Sequence, residues 1–182
     1  LVVYGTRAWC LHLTRTQALR FPVRAPSPYG RCAPSGSLTC PTSCYDADGS
    51  PLSNNNYSIG GMKEYWACLN NPHWRTVLKA WVRHGINAGV DGFMINYFYR
   101  HNCLCEHCQR EFRKYLGGRF TEAELKTRFQ INKLPTHKFK EIGAWHDPKK
   151  STPFKREQLR FSQIATKECF EEVFVKYGRS LR

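Results

Sequence analysis

Acidic residues are missing from the first quarter of this 182-residue chain. Residues 1–45 contain no Asp, no Glu and no Lys, and all five of their basic residues are arginines, although the whole chain carries a net charge of +14. The surface of a soluble fold normally mixes acids with bases. We therefore hypothesise that much of this stretch is a frameshifted, mis-spliced or misassigned reading of the gene. The alternative is a genuine basic arm or a loop-rich insertion.

Other absences exclude whole classes of protein. The chain has no run of about 18 apolar residues, so we expect no membrane span. It has no P-loop, no G-x-G-x-x-G, no G-x-S-x-G and no H-E-x-x-H, and therefore lacks these signatures of nucleotide binding, serine hydrolysis and zinc proteolysis. It begins with LVVYG rather than Met, without a basic region before that apolar start. We expect a fragment without a signal peptide.

The cysteines are plentiful but do not resemble a disulfide framework. There are nine, an odd number, and three form the compact pattern C-x-C-x-x-C at Cys103, Cys105 and Cys108. Thiolates at such spacing suit zinc, which takes four ligands in structural sites. The alternatives are reduced buried cysteines or a local disulfide. A metal site in a reducing compartment is favoured, so we expect a cytoplasmic protein.

A fourth ligand has to come from elsewhere in the chain. Cys68 is favoured because it stands just before a predicted helix, across a predicted strand from the cluster. The other candidates are His101, His107 and Cys169. With four protein ligands, the zinc would be structural, because no position stays open for water.

Helical patterns follow the cysteines. Asn70 or Asn71 can cap a helix that Pro72 begins, with an apolar face from Trp74 to Val82 and an end at Gly85 and Gly89. The apolar run VDGFMINYF after it predicts a buried strand, which makes an α/β unit. Two more helices are predicted, EHCQREFRKYL from Glu106 and TEAELKTRF, whose start is a capping box of Thr121 and Glu124. Residues 130–154 are predicted to form a loop, and 155–177 a long amphipathic helix.

These motifs together carry a resemblance to a known family. CLNNPHWR, then an apolar run, then CLCEHCQREFRKYL resembles the family 42 glycoside hydrolases, beta-galactosidases built on a TIM barrel. The resemblance covers Trp66–Phe129. It implies an α/β fold, a fragment of a (β/α)8 barrel, in which Cys68, Cys103, Cys105 and Cys108 hold a structural zinc. On this basis residues 61–182 are predicted to be a partial barrel and residues 1–60 a loop-rich, irregular or misassigned segment.

The resemblance fails at the catalytic position. Such enzymes need two carboxylates at the ends of barrel strands. The family has an Asn followed by the acid/base Glu, but here Asn96 is followed by Tyr97, and no acid occurs between Gly92 and Cys105. A full barrel takes about 250 residues, so we expect the strand that would carry the nucleophile to be missing from this chain as well. Asn96 and Tyr97 are left as candidate sugar-binding residues, and the alternative is that they only end the strand.

The resulting expectation is part of a glycoside hydrolase-like protein that acts on carbohydrate, with this chain inactive by itself. A zinc-bound module that binds carbohydrate or protein without catalysis is the first alternative. A basic nucleic-acid-binding zinc protein is the second. It is disfavoured because Arg and Lys spread over helices and loops rather than along one face.

Overall fold

The computed structural model describes residues 44–59, 62–93, 103–143 and 151–182, together with the backbone of residues 2–3 and 9–10. The predictions for most of residues 1–43, for Asn96 and Tyr97, and for most of the VDGFMINYF run lie outside these residues.

The strands pair as short antiparallel hairpins. Strand β1 (Val2–Val3) pairs with β2 (Trp9–Cys10), and β3 (Ser53–Ile59) pairs with β4 (Met62–Tyr65). The register of the second hairpin shifts within β3, between Asn54 and Ser58, which is the mark of a bulge or irregularity.

Helix α1 (Pro72–Asn87) begins where the sequence predicts. The side chain of Asn71 accepts a hydrogen bond from the backbone N–H of His73, and Pro72 occupies the first turn, where a missing N–H costs nothing. Gly89, with φ of +78°, lies just beyond the end of the helix and supplies the left-handed backbone typical of helix ends.

Gly85 does not end α1, contrary to prediction. It lies inside the helix, where a Cβ atom would stand 2.7 Å from the ring of Phe93. The glycine is therefore needed for close packing and not for termination. The chain after α1, Val90–Phe93, is coil and not strand.

Two helices follow the cysteine cluster. Helix α2 (Glu106–Gly117) buries Cys108, Phe112 and Leu116 on one face at i, i+4 and i+8. Helix α3 (Glu122–Phe129) starts with the predicted capping box, in which Thr121 and Glu124 satisfy each other's backbone N–H groups. Both helices confirm the local sequence signals.

The predicted loop is an ordered coil over the residues the structure describes, 130–143, with one 3₁₀ turn at Leu134–Thr136. Its Phe139 is fixed to α2 through the backbone. The Gln109 side-chain amide donates to the carbonyl of Phe139 at 2.8 Å, and its oxygen accepts from the Phe139 N–H at 3.0 Å. A side chain thus satisfies both backbone groups of a coil residue, as a neighbouring strand would.

Residues 153–180, near the end of the chain, form one continuous helical rod. Helix α4 (Pro153–Phe170) passes into a π-helical segment (Glu171–Tyr177) and then a short turn, α5 (Gly178–Ser180). The π-helical segment and α5 both pack against α1. Glu172 anchors this contact, because Arg75 and Lys79 of α1 hold its two oxygens at 2.6 and 2.5 Å.

The buried side chains form two clusters. The cysteine–aromatic core joins the cysteines to α2, α3, α4 and the coil. The second core lies between α1 and the C-terminal rod. The cysteine–aromatic core consists of Cys44, Cys68, Cys103, Cys108, Phe112, Leu116, Leu125, Ile131, Phe139, Ile142 and Phe161, and the second core of Leu69, Leu78, Val82, Cys169 and Val173.

This architecture contradicts the predicted barrel fragment. The described part of the chain is mainly helical, and its strands form only two-stranded antiparallel hairpins. A (β/α)8 barrel needs parallel strands joined by helical crossovers, and no described residues are arranged in that way. Here the helices bury their apolar faces on one another and on coil. No helix in the described ranges is both long enough and apolar enough to cross a membrane.

Candidate metal centre

Two separate segments of the chain supply the four predicted ligands. Cys68 lies between β4 and α1, in a turn closed by a 3.1 Å hydrogen bond from the Asn71 N–H to the Cys68 carbonyl. Cys103 and Cys105 lie in the coil before α2, and Cys108 is in the first turn of that helix. Each segment is therefore held in place by the first turn of a packed helix, α1 for Cys68 and α2 for the other three cysteines.

The four sulfur atoms converge. All of them lie within 4.8 Å of one another, and the Sγ of Cys68 is 3.4 Å from that of Cys108 and 3.6 Å from that of Cys105. Zn–S bonds of about 2.3 Å in a tetrahedron place neighbouring sulfurs about 3.8 Å apart. A disulfide would need about 2.05 Å. The spacing fits one tetrahedrally bound ion, and all four cysteines are free thiols.

Three of the four proposed ligands are buried from solvent. Cys68, Cys103 and Cys108 are each 1% exposed, and only Cys105 is partly accessible. The thiols share hydrogen bonds with one another. A hydrogen bond with Cys103 raises the pKa of Cys68, whereas hydrogen bonds with Cys105 and Cys108 lower the pKa of Cys103. A divalent cation would take the place of the shared protons and stabilise thiolates that burial otherwise disfavours.

An outer partner supports one of the ligands. The Asn70 side-chain amide donates to the Cys108 Sγ at 3.3 Å. Such donors orient a thiolate ligand and spread its charge. The sequence left Asn70 and Asn71 as alternative helix caps, and the structure divides the roles, with Asn71 as the cap and Asn70 at the site.

The other candidates for the fourth ligand lie elsewhere. Cys169 belongs to the second core, where burial raises its pKa to about 11. The Nδ1 of His107 is 3.5 Å from an Arg110 nitrogen, and His107 is not among the four converging ligands. His101 is outside the described residues. Within the described ranges, the four cysteines form the one group with metal-ligand geometry.

One residue near the site escaped the sequence analysis. Cys44 is 3% exposed and belongs to the cysteine–aromatic core beside the four ligands. It stands 24 residues before Cys68, in the compositionally unusual part of the chain. No spacing rule connects it to the cluster, because its proximity depends on backbone pairing that only the fold creates.

The predicted sugar-binding residues, Asn96 and Tyr97, are outside the described part of the chain.

Comparison of the chain with protein-family models, curated proteins and solved structures gives no match. The relation to family 42 glycoside hydrolases therefore stays a prediction from the motifs.

Proposed function

We propose that Cys68, Cys103, Cys105 and Cys108 bind one zinc ion in a closed structural site, and that the chain is a zinc-stabilised binding module. The observation that carries this proposal is the convergence of four thiols at tetrahedral spacing. Tetrahedral S4 sites hold zinc or iron. Four protein ligands leave no open position, so the ion would not activate water.

The ion would act as a cross-link between the start of α1 and the start of α2. The 34 residues between Cys68 and Cys103 join these starts, and the neighbours Cys68 and Leu69 belong to different clusters of buried side chains. Structural zinc contributes about 10–16 kcal/mol of apparent binding free energy in small zinc domains. The ion would therefore tie the two segments together and add to the stability that the packed helices supply.

Catalysis by paired carboxylates is not supported by the described residues. Glu157 is the one carboxylate buried among them. It is bound by Arg119 at 3.1 Å, by Arg160 at 3.0 Å and by the Tyr115 hydroxyl at 2.6 Å. A carboxylate held in this way stabilises the contact between α2 and α4. It has no second carboxylate of the kind that glycosidases need about 5 Å away among the buried residues described.

Carbohydrate is the partner class to test first, because the motifs from Trp66 to Phe129 resemble a carbohydrate-active family. Nucleic acid is disfavoured for a physical reason. Several guanidinium groups on the described surface are already committed within the chain: Arg75 to Glu172, and Arg119 and Arg160 to Glu157. A phosphate-binding face needs such groups to be free.

Metal analysis of the chain purified under reducing conditions tests the proposal. We expect one zinc per chain, with Cys68→Ser losing it and Cys169→Ser keeping it, since Cys169 is a buried thiol outside the site. Iron in place of zinc would change the proposed cofactor, and full zinc occupancy in Cys68→Ser would refute the ligand set.

For the partner, a glycan array is probed with the zinc-loaded chain and with an Asn96→Ala, Tyr97→Ala double variant. Binding that the double variant retains in full would remove these two residues from the proposed site.

A further inference from the structure

A depression lined by cations lies between the end of α2 and the middle of α4. Four of its residues come from α4 at positions i, i+3, i+4 and i+7, a spacing that places them on one face of the helix. The depression has a volume of about 220 Å³, below the roughly 300–1,000 Å³ of pockets for drug-sized ligands, so it suits one small group. Its walls consist of Tyr115, Arg119, Arg160, Gln163, Ile164 and Lys167.

Positive charge exceeds negative charge around this depression. Arg119 and Arg160 share the single carboxylate of Glu157, at 3.1 and 3.0 Å, so these three groups together carry one net positive charge. Lys167 adds a second positive charge. Glu171 offsets it only in part, because the two charged groups are 3.6 Å apart and their side chains are 73% and 45% exposed. The depression therefore favours an anionic ligand.

Glu157 orients the two guanidinium groups without using all of their donors. Its ion pairs involve one nitrogen of each group, the Nε of Arg119 and the Nη1 of Arg160. A guanidinium has five N–H donors in a planar fork, and two of them match the two oxygens of a carboxylate. A nucleic acid would need a long row of free guanidinium groups, whereas a single carboxylate needs only one such pair of donors.

An exposed apolar side chain stands among these cations. Ile164 is 39% exposed, and within the described ranges only Phe170 is a further exposed large apolar residue. A single exposed apolar residue is ordinary on a protein surface. Ile164, however, lies one helical turn from Arg160 and lines the same depression. A ligand that carries a carboxylate beside a short apolar group would contact both side chains.

We propose that this depression binds a small organic acid, a carboxylate joined to a short apolar body. The carboxylate would accept hydrogen bonds from the guanidinium groups of Arg119 and Arg160, and the charge of Lys167 would add to the attraction. The apolar body would cover the exposed side chain of Ile164. The site shares no residue with the metal centre, so the proposal does not depend on the proposed zinc function.

Titration of the nitrogen-15-labelled full chain, followed by NMR, tests this proposal with three probes. N-acetyl-leucine carries both the carboxylate and the apolar group, N-acetyl-leucinamide lacks the charge, and acetate lacks the apolar body. We expect N-acetyl-leucine to shift the backbone amide signals of the residues that line the depression. Each of the other two probes should bind at least about fivefold more weakly, because each loses one of the two contacts.

Matched variants separate this site from general attraction to a basic protein. Arg160→Gln should weaken the binding of N-acetyl-leucine by about fivefold or more. Arg179→Gln, the same change at an exposed arginine in α5, should leave it unchanged. Lys167→Gln keeps both ion pairs of Glu157 and provides a second test if Arg160→Gln does not fold. Equal affinity for N-acetyl-leucine and either other probe, full binding by the folded variants of Arg160 and Lys167, or no signal shift at concentrations far above a millimolar Kd would overturn the proposal.

Discussion

Phe112 is the residue whose loss should damage the fold most. Its side chain is fully buried, and its ring centroid lies 4.7 Å from that of Phe139, 5.0 Å from Phe161 and 5.9 Å from Phe154. Truncating a buried Phe to Ala costs about 3–5 kcal/mol, and aromatic pairs add about 0.5–1.5 kcal/mol each beyond area burial. Phe112 also stacks on Tyr115 at 6.1 Å. Because the measured cost of Phe→Ala already includes the loss of such ring pairs, we expect Phe112→Ala to lower the free energy of unfolding by about 4–5 kcal/mol, near the upper end of that range.

Urea denaturation followed by far-UV circular dichroism, with saturating zinc and a reductant, measures the effect. With a slope of about 2 kcal/mol/M, the midpoint should fall by about 2 M. Phe170→Ala is the matched control, because Phe170 is 43% exposed and stacks on one ring, that of Phe174. It should cost about 1 kcal/mol or less.

Equal losses in Phe112→Ala and Phe170→Ala would show that the reasoning from burial is wrong. If Phe112→Ala does not fold, Phe112→Leu provides a milder test. It keeps most of the side-chain volume and should cost about 1–1.5 kcal/mol. A loss below about 0.5 kcal/mol, typical of exposed surface sites, would refute the central role of this ring.

Four further predictions can be tested with the same material. Gly85→Ala should destabilise by about 1–3 kcal/mol in urea titrations, because the new methyl group meets a phenylalanine ring at 2.7 Å. Gly178→Ala, whose nearest contact is at 3.6 Å, should be neutral or stabilising, and the reverse order would refute the packing argument. Asn71→Ala should cost about 1 kcal/mol through loss of the helix cap, while Asn71→Ser, which can still accept the bond, should cost less in thermal melts. Burial, together with the hydrogen bond to Glu157, raises the pKa of Tyr115 to about 12. The stability from this bond should be complete below pH 10 and lost as pH rises towards 12, and a phenolate absorbance titration in which Tyr115→Phe removes no late-titrating group would contradict it. Finally, the chain should show no turnover of a nitrophenyl galactoside at high protein concentration, and turnover abolished by a single Asp or Glu substitution would contradict this expectation.

Local signals in the sequence predict the elements well, because their causes are local. The Asn71 cap and the capping box of Thr121 and Glu124 each satisfy backbone groups within three residues. The convergence of Cys68 on the other three cysteines was predicted from ligand chemistry and the family resemblance. This distant contact could be predicted because a zinc ion needs a fourth ligand besides Cys103, Cys105 and Cys108, and few residues in the chain can supply one.

Contacts without a local pattern could not be predicted. The apolar run after α1 fits a strand as well as a packed coil, since short apolar runs do not distinguish the two. It predicted an α/β unit, and the family resemblance implied the barrel. A glycine such as Gly85 can end a helix or make room for a neighbouring ring, here that of Phe93, and the sequence does not distinguish these two roles. Cys44 is placed by long-range backbone hydrogen bonds, from its N–H to the carbonyl of Trp66 and from the N–H of Leu104 to the carbonyl of its neighbour Tyr45, which no local pattern announces.

The link between Gln109 and Phe139 has a consequence for how the molecule opens. Gln109 follows Cys108 directly, so the residue that holds the coil is one peptide bond from a proposed metal ligand. Because both backbone groups of Phe139 bond to that side chain, we expect its amide to be protected from exchange while Gln109 stays ordered on the first turn of α2. This coil position should therefore share the protection of the helix and belong to the same cooperative unit. Gln109 and Phe139, which are 30 positions apart in the sequence, are thus expected to lose their protection from exchange together.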